Sequence, residues 1–232
     1  FGAGDRICHH GVANIFREPK FAAHAYASQR PRDAGIVLKP VTFWARGERN
    51  IGGVLPLIVL TNCDAVELRY GDLTKRVEPD RERYPHLPHA PVVIDHRHFS
   101  RDELGRWGMS WEDCTITGLV DGEPAATQRF VADPLPTTLE VAPDATTLDA
   151  GARDEVRVIV RALDQAGNVL PFLADCVDIA VSGPATLIGP PRAHFQGGTT
   201  GFWLRASGDA GAIEVTLTTA RFDTATLTLT AR

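Results

Sequence analysis

The sequence predicts a mainly-β chain built from two sandwiches in tandem behind a short helical segment. Three observations carry this. Short apolar runs and period-two stretches dominate from about residue 36 onward. Asp133-Pro134-Leu135-Pro136 divides the chain like a linker. No helix-period pattern appears beyond the first thirty or so residues. A length of 232 residues fits two domains of ordinary size.

Taken in order, Glu18 to Gln29 reads as a helix of about three turns, with Pro19 suited to its first turn. Ala22, Ala25, Tyr26 and Gln29 recur at spacings of three and four, a narrow face of mostly small residues suited to close packing against another element. Arg30-Pro31 ends it, because the residue before a proline is pushed out of helical space. Val41 to Ala45 and Pro56 to Leu60 are apolar strand-like runs, and Ala65 to Tyr70 alternates after an Asn62-Cys63-Asp64 turn. Glu78 to Pro91 is a proline-marked loop. Cys114 to Val120 and Glu123 to Val131 form a hairpin around Asp121-Gly122, which suits a two-residue turn. Beyond the linker, Leu139–Val141, Glu155–Leu163, Val177–Val181, Gly211–Thr218 and Thr224–Thr230 are strands, and Asp164 to Asn168 is a turn. Trp203, in an apolar strand-like run, is expected in the core. Strands at this spacing over about 97 residues fit an immunoglobulin-like sandwich, and 34–133 is a β-rich segment of similar size.

Composition excludes several functions. With 24 basic and 29 acidic residues the net charge is -5, and neither side of Pro136 is a basic module, so no nucleic-acid partner is expected. The longest apolar stretch, Val54 to Leu60, falls far short of the ~20 residues a membrane helix needs. Cys8, Cys63, Cys114 and Cys176 contain no Cys-x-x-Cys pair, and they do not decide between the cytoplasm and a periplasmic or secreted location. Met109 is the sole methionine and the chain opens at Phe1, which reads as a piece of a longer protein.

Three stretches resemble the carboxy-terminal part of family 2 glycoside hydrolases, the group containing β-galactosidases and β-glucuronidases. Residues 11–23 (GVANIFREPKFAA) with Tyr26-Ala27-Ser28-Gln29 resemble the last loop and helix of that family's catalytic barrel. Residues 59–68 (VLTNCDAVEL) are similar to the hairpin opening the sandwich that follows the barrel. Residues 161–171 (RALDQAGNVLP) and 181–184 (VSGP) resemble its terminal sandwich.

The resemblance implies three parts: 1–33, the end of a truncated (β/α)8 barrel; 34–133, a first immunoglobulin-like sandwich; and 134–232, a second. It implies a parent β-glycosidase acting with retention on O-glycosidic bonds through two glutamates. A complete barrel takes about 250 residues, more than this chain holds, so no catalytic residue is expected here. The implied partners are the upstream barrel and, through it, a carbohydrate substrate, with subunit contacts as a further role that the resemblance admits. Residues 5–11 (DRICHHG) resemble a β-galactosidase active-site loop in which a phenylalanine carbonyl and an asparagine help hold sodium. Ile7 and His10 take those two places, and Ile7, His9 and His10 are the candidate active-site rim. No cofactor is expected in this chain, whereas a monovalent or divalent cation is one the parent could use.

Other patterns are weighed on chemistry alone. Trp107 and Trp111 are candidate sugar contacts, since aromatic faces stack on the C–H faces of sugars. His86, His89, His96 and His98 lack a common structural zinc spacing and read as loop residues. Asp80, Glu82, Glu112 and Asp113 read as solvated surface. A freestanding carbohydrate-binding pair of sandwiches and a structural spacer are the competing functional classes.

Overall fold

The computed structural model describes residues 10–45, 54–104 and 108–232. The chain divides into two compact units, 1–133 and 134–232.

The described part of the first unit opens with a tight turn. Asn14 Oδ1 accepts the backbone N–H groups of Phe16 and Glu18, both at 2.9 Å, and Ala13 bridges Pro19. Helix α1 then covers Phe21–Ala27 only, shorter than the 18–29 expected. Asn14 holds Glu18, Pro19 sits in the bridge, and Lys20 is extended, so the first helical turn starts after the proline. A 3-10 turn over Arg32–Ala34 follows.

Strands β1 (Leu38–Pro40), β2 (Leu57–Thr61) and β5 (Val92–Ile94) form one sheet in the order β1-β2-β5. Strands β3 (Ala65–Tyr70), β4 (Leu73–Val77), β6 (Cys114–Val120) and β7 (Glu123–Phe130) form the other, in the order β4-β3-β6-β7. All these pairings are antiparallel. Leu57, Val59, Leu68, Ile116 and Phe130 meet in a core with Trp44.

The strand expected over 41–45 is not one. Pairing ends at Pro40, and the Thr42 hydroxyl takes the Trp44 N–H at 2.8 Å. That local bond competes with a ladder and sets Trp44 at φ 53, unusual for an aromatic residue. Burial offsets the cost: Trp44 is 1% exposed and stacks on Phe130 at 5.6 Å.

The second unit has two sheets. One runs β12 (Ala185–Ile188), β14 (Thr199–Ala206), β10 (Glu155–Leu163) and β8 (Thr138–Pro143). The other runs β13 (Arg192–His194), β11 (Cys176–Ser182), β15 (Gly211–Thr219), β16 (Ala225–Ala231) and β9 (Thr147–Leu148). β9 and β16 are parallel, and every other pair is antiparallel. Val156, Val158, Val160, Phe202, Leu204, Ile213, Val215 and Leu217 fill the core between the sheets. Trp203 falls outside it: Phe202 and Leu204 point inward, so period-two alternation turns Trp203 outward, where it is half-buried.

Candidate functional site

The most organised polar structure joins the helical segment to the first sandwich. Asn62 is fully buried. Its Oδ1 accepts the Val37 N–H at 2.8 Å, and its Nδ2 donates to the carbonyls of Gly35 at 2.9 Å and Arg30 at 3.3 Å. Arg32 donates to the Asn62 carbonyl at 2.8 Å and pairs with Asp64. Asp64 also accepts the Asp121 N–H, and that bond with the Arg32 pair holds its carboxyl below the usual range. The Asn62-Cys63-Asp64 motif is therefore a clamp as well as a turn: the short amide satisfies three backbone groups that would otherwise lie unpaired.

Gln29 provides a second grip. Its Nε2 donates to the His89 carbonyl at 2.9 Å while its Oε1 accepts the His89 N–H at 3.1 Å. A third contact is aromatic. Phe21 lies 5.2 Å from Phe43, and Lys39 Nζ stands 5.6 Å from the Phe21 ring centre, within cation–π range. Burial holds the Lys39 ammonium below its usual value. Burial first, then the charge of Lys39, holds His24 below its own.

These contacts divide α1 into two faces. Ser28 is buried and Phe21, His24 and Gln29 are half-buried, whereas Ala22, Ala25 and Tyr26 are exposed. Three members of the small-residue face expected to pack are thus open. The segment 12–43 also supplies six of the nine large apolar side chains exposed among the described residues: Val12, Ile15, Tyr26, Ile36, Val41 and Phe43.

Of the candidate site residues, Ile7, His9 and Trp107 lie outside the described residues. His10 is exposed, and its carbonyl accepts Lys20 Nζ at 3.1 Å. Trp111 is half-buried, edge-on to Trp44 at 5.5 Å and to Tyr70 at 6.0 Å. The Tyr70 hydroxyl donates to the Ser110 carbonyl and accepts the Glu112 N–H, which fixes the chain on both sides of that tryptophan.

The histidines are spread out. His89 is engaged through its backbone, His98 Nδ1 lies 3.3 Å from Asp95, and His86 and His96 are exposed. No group of three or more His, Cys, Asp or Glu among the described residues is placed to hold a metal. Asp80 departs from the solvated reading: its side chain is only 13% exposed, caps the Arg83 N–H, and lies within ion-pair distance of Arg83 and Arg97. Asp113 pairs with Arg129 at 2.6 Å.

Two β-sandwich units, with a helix clamped to the first by buried polar contacts and open on its other face, define the chain as a mainly-β protein of several sheets. The profile of glycoside hydrolase family 2 C-terminal domain 5 matches residues 139–228. The chain is 66% identical over 181 residues to a β-galactosidase of Rhizobium meliloti, covering 78% of this chain and 24% of that protein. It is 45% identical over 127 residues to a β-galactosidase of Rhizobium radiobacter, covering 55% of this chain and 92% of that protein. A β-glycosidase structure from Bacteroides vulgatus superposes with a TM-score of 0.75 at 18% identity, over 95% of this chain and 28% of that one, a likeness of fold alone. The chain belongs to glycoside hydrolase family 2 and corresponds to its C-terminal region. It spans 24% and 28% of the lengths of two curated relatives, so it is part of a larger family 2 protein.

Proposed function

We propose that residues 1–33 are the end of a catalytic barrel and that 34–133 and 134–232 are sandwiches buttressing it in a retaining β-galactosidase. The observation that carries this reading is the two-faced helix. Phe21-Ala22-Ala23-His24-Ala25-Tyr26-Ala27 is apolar nearly all round, the composition of a helix covered on more than one side. Its Phe21 side meets the first sandwich and its Tyr26 side is open. The occupant of the open side is the upstream barrel of the same protein.

Hydrolysis belongs to that barrel, whose two carboxyl groups would stand ~5–5.5 Å apart for a retaining mechanism. Ile7, His9 and His10 enter this reading as residues at the edge of the substrate site, and any cation the parent uses would be held mainly by barrel residues. The chain supplies position: Asn62, Arg32 and Gln29 fix where the helix leaves the sandwich.

The test is the full-length protein. It should release galactose from an aryl β-galactoside as the β-anomer first, and replacing either barrel glutamate by glutamine should abolish turnover. The isolated 232-residue chain should bind a hydrophobic dye, and Tyr26→Ser with Phe43→Ser should reduce that binding. A reading frame lacking a barrel, or a full-length protein inert on β-galactosides, would overturn the proposal.

A further inference from the structure

The second unit carries a cleft of about 430 Å³, within the size range of small-molecule sites. It lies at the end of the sandwich where β10 starts and β14 finishes. Its lining includes the small residues Ala150 and Ala206, the hydroxyl residues Thr186 and Ser207, and two arginines, Arg153 and Arg205.

The charges around the cleft are sorted by their bonding. Asp149 Oδ1 accepts the N–H groups of Gly151 and Ala152, at 2.8 and 3.2 Å. Asp154 accepts those of Asp149 and Glu155, at 3.1 and 2.9 Å. Both carboxylates are committed to the loop's own backbone, and neither lines the cleft. Glu155 is engaged by Arg205, whose Nε lies 2.7 Å away. Arg153 has no carboxylate partner among the described residues. Its backbone sits at φ 52, a left-handed conformation that a residue with a long side chain seldom adopts. A glycine would take that conformation without steric cost, and such outliers cluster at ligand clamps.

We propose that this cleft binds small oxyanion-bearing ligands, with the Arg153 guanidinium gripping a carboxylate or phosphate and Thr186 and Ser207 bonding neighbouring hydroxyls. A planar guanidinium suits two-point contact with such groups. The small floor residues allow close approach. The site stands on the second unit alone.

The experiment follows backbone NMR signals of residues 150–153 and 205–208 in the 232-residue chain, titrated with galacturonate, inorganic phosphate or galactose to about 10 mM, a range that detects millimolar affinity. Galacturonate should shift them saturably and galactose should not. Galacturonate tighter than phosphate by about tenfold or more assigns the cleft to acidic saccharides, and equal affinity assigns it to free oxyanions. Arg153→Gly should abolish the shifts while the far-ultraviolet spectrum and melting temperature are kept, which separates lost binding from lost folding. No response to either anion, an equal response to galactose, or full binding in Arg153→Gly would each overturn the proposal.

Discussion

Asn62 reaches three backbone groups from a fully buried position. Asn62→Ala leaves those groups without partners, and a buried unpaired group costs about 1–3 kcal/mol. With partial relaxation, the expected loss is about 2–4 kcal/mol, read by urea denaturation. A variant within about 0.5 kcal/mol of the parent chain would show that water replaces the clamp.

His24 makes the same region sensitive to acid. Its folded value lies below the usual 6.5, so the unfolded chain binds more protons and stability falls as pH drops through that value. Lys39 acts in the same sense, but its penalty is already in force at neutral pH. Denaturation midpoints at about pH 7.5 and pH 5.5 should therefore differ, and His24→Gln should shrink the difference. Asp95 works in a lower window. Chiefly the hydrogen bond from Arg97 holds its carboxyl down to about 2. That contribution is present above the ordinary value of 3.8 and is lost as pH falls toward 2. Asp95→Asn should flatten the stability curve below about pH 4.

At the scale of elements, strands with strict alternation and a recognisable turn were legible. Ala65–Tyr70, Cys114–Val120 and Glu155–Leu163 match the sequence reading residue for residue. The Asp121-Gly122 turn carries φ values of 52 and 85, the positive pair its hairpin requires. What stayed hidden were short strands such as β5, β9, β12 and β13, whose two to four residues are too few to display a period. The clamp was hidden for another reason. Asn62 is a common turn residue, and nothing local in the sequence distinguishes a solvated asparagine from one bonded across 25 to 32 positions. Helix length was misjudged because Asn14 lies outside the window in which helix starts are read.

One turn can be tested sharply. Gly183 sits at φ 91, and a Cβ there would lie 2.1 Å from the Ala212 carbonyl oxygen. Gly183→Ala forces β15 and the β11–β12 turn apart, and should cost more than about 2 kcal/mol. Gly122→Ala, at a turn with open space around the added carbon, should cost less. Equal costs would mean the close approach is relieved by small shifts.

For the molecule as a whole, the second unit has a core of its own, drawn entirely from residues 148–231. Residues 134–232 expressed alone should fold, giving a single cooperative thermal transition and a β-type far-ultraviolet spectrum. An unfolded product would show that this core depends on the preceding residues. The fold class was legible because both cores rest on alternation. The open face of α1 was not, because a face of small residues reads the same whether its cover belongs to the chain or lies beyond it.

The grip of Gln29 on residue 89 passes through main-chain N–H and C=O alone. Every amino acid except proline offers that same pair of groups, so the contact itself imposes almost no choice of side chain at residue 89. His89 can be exchanged for another residue that keeps its N–H while the helix keeps its berth. Side-chain identity in this grip therefore matters at Gln29 and little at the residue it holds.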